Sequence, residues 1–297
     1  MTGSAKATPR EVTPVTDELA TAVMDLTNAA DAADGVAPLS EATVLHVRHD
    51  RTAGPYADFV VGDVDGYAHL DIGEEPGGEL VVHPTARRRG HGRALLDALT
   101  SRAGGDLRVW AHGDLPAAAA LARSAGWVRA RALWQLRRPL ADPLPEVTLP
   151  AGVSLRTFVP GQDEEAWLEV NRRAFAHHPE QGSWTAQDLA MREEEPWFDP
   201  EGFFLAERSG RLAGFHWTKI HPDPIGEVYV VGVDPSAQGG GLGRALTIEG
   251  LHYLRSRGLA DVMLYVDEDN QSAVKMYTAL GFTRWSTDVM YAPAGVS

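Results

Sequence analysis

Two rhythms of apolar and polar residues share this chain. In the second half, FFLAER (203–208), LAGFHWTKI (212–220) and EVYVVGV (227–233) are short runs rich in aromatic and β-branched residues and read as strands, with LRTFVPG (155–161) a strand and turn ahead of them. DEEAWLEVNRRAF (163–175) has an acidic start and helical spacing of its apolar residues. GLGRALTIEGLHYLRSRG (241–258) predicts a helix stopped by Gly258, followed by strand DVMLYV (261–266), helix NQSAVKMYTALG (270–281) and strand FTRWSTDVMYA (282–292). Meander strands followed by β-α-β-α-β predict an α/β (α+β) fold with a mixed, mostly antiparallel sheet flanked by helices.

The pattern is written twice. ELVVHPTARRRGHGRAL (79–95) matches VVGVDPSAQGGGLGRAL (230–246), with Pro84, Gly90, Gly92 and Arg93 each 151 residues before Pro235, Gly241, Gly243 and Arg244. LARSAGW (121–127) likewise resembles MYTALGF (276–282). RRPLADPLPEVTLPAGV (137–153), with four prolines, reads as an extended linker, giving domains at 1–143 and 144–297.

Composition narrows the function. With 297 residues, 44% hydrophobic, 23% charged and no cysteine, the chain is globular, with no catalytic thiolate and no thiolate metal site of its own. The net charge of −14 disfavours nucleic acid, and the more acidic second half suits a cationic small molecule. The N-terminus lacks a signal-peptide core and no run is long enough to span a membrane, so a cytoplasmic enzyme without a membrane partner is expected. A monomer is expected as well.

Candidate chemistry begins at the glycine-rich loop. Gln238-x-x-Gly241-x-Gly243 between a strand and a helix would aim backbone N–H groups at an anion, with Arg244 adding charge. No Gly-Lys-Ser/Thr follows, so this is not a P-loop, and the glycine spacing fits a dinucleotide fingerprint poorly.

VGVDPxxQxxGxG, then Asn270, then Tyr277-x-x-x-Gly281-Phe282 resembles the GNAT family of N-acetyltransferases. The resemblance implies an acetyl-CoA-dependent enzyme that needs no metal. It implies that Val231, Gly232 and Val233 meet the pantetheine arm. Gln238, Gly239, Gly240, Gly241, Leu242, Gly243 and Arg244 would wrap the pyrophosphate. Asn270, Gln271, Ser272, Ala273, Val274 and Lys275 would line the cofactor's other side. In the first copy Leu80, Val81, Val82, Arg88, Arg89, Gly90, His91, Gly92 and Arg93 hold the matching places. The family's general acid falls on Tyr277; its counterpart in the first copy is Ala122, so that copy is expected to bind acetyl-CoA without catalysing. Residues 227, 229, 231 and 233 are expected on one strand face, which puts Glu227 near the acceptor amine as base or amine ligand.

GFHWTKIHPD (214–223), AFAHHPEQGSW (174–184) and DGVAPLSE (34–41) resemble a narrower, tandem branch of the family that acetylates the cysteinyl amine of a cysteinyl-glucosaminyl-inositol. That resemblance implies Glu41, Glu180, Lys219, Glu227 and Tyr265 as substrate ligands. Plainer readings make Lys219 a surface residue, Tyr265 part of the core, His177-His178 a poor metal site and Glu193-Glu194-Glu195 a solvated helix face. The rival functions are another N-acetyltransferase, for a protein N-terminus or an aminoglycoside, and a non-catalytic acetyl-CoA sensor.

Overall fold

A computed structural model describes residues 8–12, 14–49, 55–73, 75–104, 106–176 and 181–295. It divides into two compact units, one of residues 1–133 with 286–297, the other of residues 134–285.

The first unit contains β1 (Arg10–Glu11), α1 (Asp17–Asp34), α2 (Glu41–His49), β2 (Tyr56–Val61), β3 (Gly66–Asp71) and β4 (Gly77–Val82). It continues with α3 (His91–Ala103), β5 (Arg108–Ala111), α4 (Pro116–Ser124) and the opening of β6 (Trp127–Pro139). The second unit takes the rest of β6 from Trp134, then β7 (Val153–Thr157), α5 (Glu164–Ala174), α6 (Ala186–Glu193), β8 (Phe203–Arg208), β9 (Arg211–Ile220), β10 (Ile225–Val233), α7 (Leu242–Ser256), β11 (Asp261–Asp267) and α8 (Gln271–Ala279). The last strand, β12 (Thr283–Pro293), belongs to the first unit from Ser286 onward.

The units therefore divide elsewhere than at the expected 143/144. β6 runs through Arg137–Pro139, the start of the proline-rich segment, and the Leu140 N–H donates to the Ala260 carbonyl at 2.7 Å. Proline content marks where a strand must end, but it does not show which sheet that strand joins.

Within the first unit the strands lie in the order β1-β2-β3-β4-β5-β12, and within the second β6-β11-β10-β9-β8-β7. β4 with β5 and β10 with β11 are parallel, whereas β1–β2, β2–β3, β3–β4, β5–β12, β7–β8, β8–β9 and β9–β10 are antiparallel. Parallel neighbours need a crossover, and α3 and α7 supply it. α7 buries Leu246, Ile248, Leu251 and Leu254 at helical spacing, each burial worth about 1.5–3 kcal/mol. Ile248, Leu251 and Leu254 pack with Val228, Val262 and Leu264 on one face of the second unit's strands, and Leu246 packs with Phe204, Ala206 and Ala213; Trp167, Phe203, Phe215, Trp217 and Val230 form the core on the other face.

The strands and helices expected from the pattern are present, with ends shifted by a few residues. Helix α6 was not foreseen. Thr185-x-x-Asp188 was its signal, because the two side chains form a capping box. α6 ends at Glu193, so Glu193–Glu195 is a helix terminus and not a solvated face.

Candidate active site

The ladder between β10 and β11 pairs Ile225 with Asp261, Gly226 with Val262 and Glu227 with Met263, and stops there although β10 continues to Val233 and β11 to Asp267. Past Glu227 the two strands part. The N–H and C=O groups on that edge of β10 are then available to an extended ligand in place of a strand.

On its other edge β10 pairs with β9, Glu227 opposite Lys219 and Val228 opposite Thr218; the register then shifts, so that Val230 faces Trp217 and Val231 faces His216. Tyr229 is the extra residue of a β-bulge. Glu227 thus shares a face with Lys219, Trp217 and Phe215, whereas Val231 and Val233 lie on the face of His216 and Gly214. The expectation that 227, 229, 231 and 233 share one face is corrected, because an inserted residue reverses the alternation.

Glu227 is buried, and one carboxylate oxygen accepts the Nε2–H of His221 at 2.7 Å. Lys219 beside it is also buried, with Nζ 4.4 Å from the Trp197 ring centre and 5.2 Å from that of Tyr229. The Arg192 guanidinium lies 3.9 Å from the Trp184 ring centre, and its Nε donates to the Tyr229 hydroxyl at 2.8 Å. Tyr265 is 41% exposed, and its hydroxyl accepts the Gln135 amide at 2.8 Å. The plainer readings of these two residues are thereby reversed: Lys219 is interior and Tyr265 is at the surface.

Between β10 and α7 the chain makes one 3-10 turn (Pro235–Ala237), then passes Gly239 at φ +88° to Gly241 at φ +80°. Gly241 caps α7 without a side-chain acceptor, so the first-turn N–H groups and the positive end of the helix dipole are open to an anion. The first unit repeats the loop: Pro84–Ala86, Arg88 at φ +63°, and Gly90 at φ +92° capping α3, again without a side-chain acceptor. His83 and Asp234 match in φ/ψ (−52°/133° and −51°/131°), as do Arg87 and Gln238 (−62°/160° and −68°/164°). Its arginines are partly engaged, Arg87 with Asp34 (2.6 and 2.7 Å), Arg89 with the Thr85 carbonyl (3.0 Å) and Arg93 with Asp97 (2.7 Å).

The Asn270 side chain accepts from the Ala273 N–H at 3.1 Å and so caps α8, whose first turns carry Gln271 to Lys275. Tyr277 on α8 packs edge-on against Phe282, and burial pushes its phenol up to about 12. Glu41 opens α2 of the first unit. Glu180, His177 and His178 lie outside the described residues.

One cluster in the first unit had no sequence signal. β4 pairs with β5 at Gly77–Arg108, Gly78–Val109 and Glu79–Trp110, and that ladder ends at Glu79. The buried Glu79 accepts from His112 at 3.0 Å and from the Ser40 N–H at 2.9 Å, and His112 also meets Asp288 at 3.0 Å. Burial works against a charge on His112, but its bonds to Asp288 and Glu79 prevail and push its pKa up to about 10. Residues so distant in sequence carry no common spacing for a motif search to detect.

Also in this unit, ligand atoms of the buried His46, Asp58 and His69 lie within 4.8 Å of one another, the spacing of a metal-ligand set. Asp58 accepts hydrogen bonds from His46 (3.0 Å), His69 (2.9 Å) and the Tyr67 hydroxyl (2.5 Å). Burial disfavours its charge, yet these partners hold the carboxyl well below the usual range. As arranged, the cluster is a hydrogen-bond network centred on Asp58, in which His46 Nδ1 is buried without a hydrogen-bond partner among the described residues. Among the described residues no helix is long and apolar enough to cross a membrane.

Each unit thus has a parallel ladder that ends before its first strand does, followed by a helix N-terminus without a side-chain cap, and the sequence profiles match both units. The acetyltransferase (GNAT) family matches residues 165–282 and an acetyltransferase (GNAT) domain matches residues 55–129. Relatives named mycothiol acetyltransferase are similar over nearly the full length: that of Thermomonospora curvata is 63% identical, covering 93% of this chain and 94% of its own, and that of Thermobispora bispora is 60% identical, covering 91% and 94%. Among solved structures, a tandem GNAT protein from the clavulanic acid biosynthesis pathway is 26% identical with a TM-score of 0.70, covering 95% of this chain and 97% of its own. A GCN5-related N-acetyltransferase from Sphaerobacter thermophilus is also 26% identical, with a TM-score of 0.68, covering 97% and 95%. The chain belongs to the GNAT acetyltransferase family and is an acetyl-transfer enzyme built from two copies of that fold, with acetyl-CoA as its acetyl donor. Within that family its similarity runs to the mycothiol acetyltransferases.

Proposed function

We propose that this enzyme acetylates the cysteinyl amine of cysteinyl-glucosaminyl-inositol, giving mycothiol and CoA, and that the second unit performs the transfer. The observation that carries the assignment of the unit is the phenol of Tyr277 on α8, where the first unit has Ala122, together with the buried carboxylate of Glu227 at the end of the β10–β11 ladder. The similarity to mycothiol acetyltransferases over more than nine-tenths of the chain supports the substrate.

Acetyl-CoA supplies the acyl group as a thioester. The residues fit it: the loop from Gln238 to Arg244 offers N–H groups to the pyrophosphate, and the free edge of β10 at Val231 and Val233 offers backbone to the pantetheine. Glu227 takes a proton from the ammonium, directly or through water, so that the amine can form the N–C bond. As the C–S bond breaks, Tyr277 donates its hydroxyl proton toward the sulfur. A phenol near 12 stays protonated at any working pH, but full transfer to a thiolate of ordinary basicity is uphill, so its main contribution is a hydrogen bond to the leaving sulfur. Lys219 and Tyr265 suit the sugar and inositol hydroxyls, and Glu41 and Glu180 suit the cationic amine.

No metal enters this reading, because side chains and backbone supply base, donor and anion contacts. The first unit, lacking a phenol at Ala122, holds acetyl-CoA through Leu80 to Val82 and the Arg88–Arg93 loop without turning it over. The enzyme works as a monomer in the cytoplasm. The test incubates enzyme, acetyl-CoA and cysteinyl-glucosaminyl-inositol, and follows CoA by chromatography and product by mass. Formation of a mono-N-acetyl product is expected, with glucosaminyl-inositol lacking the cysteinyl group unreactive. Equal turnover of both amines, or none of either, overturns the assignment.

A further inference from the structure

We infer that His221 is the positioning residue for Glu227, the element that aims the base at the acceptor amine. The inference rests on the base reading above. A carboxylate accepts and never donates, so Nε2 of His221, 2.7 Å from the Glu227 carboxylate, carries the proton of that bond. Among the described residues, His221 is the only side chain hydrogen-bonded to Glu227.

The imidazole is held by the fold. His221 follows β9 directly, its N–H donates to the Ile225 carbonyl at 3.0 Å, and the turn it opens, Pro222-Asp223-Pro224, has two fixed φ angles and a bond from the Ile225 N–H to the Asp223 carbonyl. It stands two residues beyond Lys219, which is paired with Glu227, and so sits on the same face as a diagonal cross-strand neighbour. A glutamate has several rotatable bonds, and fixing them in advance removes an entropic cost from the step that uses it.

The first unit supplies an independent contrast. Its ladder-end carboxylate, Glu79, also bonds an imidazole, but His112 reaches it from the end of β5 and takes one oxygen while Ser40 takes the other. In the second unit the imidazole comes from the β9–β10 turn and engages Oε2, leaving Oε1 to meet the amine or its water.

The test compares H221A, H221Q, E227Q and H221A/E227Q by steady-state kinetics, with acetyl-CoA affinity measured by calorimetry and folding by thermal melts. H221A is expected to lower kcat about tenfold, with acetyl-CoA affinity and melting unchanged. H221Q, whose amide N–H reaches a similar position, restores most of the loss. In the double variant the H221A effect disappears, because the residue acts only through Glu227. Normal turnover by H221A, no rescue by H221Q, additive losses in the double variant, or a loss of acetyl-CoA affinity each overturns the inference while leaving the base reading intact if E227Q is impaired. Normal turnover by E227Q overturns both.

Discussion

Glu79 and Glu227 each end a parallel ladder, β4 with β5 in the first unit and β10 with β11 in the second, and each is preceded by glycine, although the 151-residue offset aligns Glu79 with Val230. They differ in what surrounds them. Glu79 is closed off between His112 and Ser40, whereas among the described residues Glu227 keeps one oxygen without a hydrogen-bond partner. Eight positions separate Glu227 from Pro235 but only five separate Glu79 from Pro84, and the longer strand is the one with the bulge.

Substituting the two carboxylates should therefore give opposite results. E227Q is expected to lower kcat by about 10²–10⁴-fold, the range of a general base, with the melting temperature held. E79Q is expected to leave turnover within about twofold and to lower the melting temperature, because it leaves His112 short of an ionic partner in a buried site. Steady-state kinetics and thermal melts on the two variants check this.

Tyr277→Phe should lower kcat and leave the dissociation constant for acetyl-CoA nearly unchanged. Since burial raises the phenol to about 12, its deprotonation cannot produce a fall in rate below pH 10. Any basic limb seen there in the wild-type profile should persist in the phenylalanine variant. Calorimetry and the pH–rate profile of both forms decide the point.

Calorimetry should count two acetyl-CoA sites per chain. Gly241→Val places a branched side chain at φ +80° and is expected to remove one site together with activity. Gly90→Val, at φ +92°, should remove the other and spare activity. A single site lost with Gly241→Val alone would show that the first loop is not used.

The raised His112 pKa fixes the sign of a stability change. A histidine unfolded near 6.5 and folded near 10 contributes its full stabilisation below pH 6.5 and loses it as pH rises through about 10. Melting temperature should fall across that window in the wild type, and the fall should be shallower in His112→Gln. Parallel curves would remove His112 from the account.

The backbone of the candidate site's loops was legible because its signals are local. The 151-residue repeat is realised as matching backbone angles in the two loops, and Gly90, Gly239 and Gly241 stand where φ is positive. Strand faces were legible only while alternation held; at Tyr229 one inserted residue moved Val231 away from the face of Glu227. Lys219 looked like a surface charge because its ring partners Trp197 and Tyr229 are distant in sequence or on another strand.

The sequence alone determined the duplication, the order of strands and helices, the anion loops and the residue types available for acetyl transfer, since each depends on neighbours within a turn or a repeat. Tertiary structure decided where the parallel ladders stop, which imidazole each ladder-end carboxylate receives, and that residues 134–139 and 286–293 complete units other than those their position along the chain suggests. Those outcomes depend on strand pairing and burial between residues far apart in the chain, where composition and period carry no information.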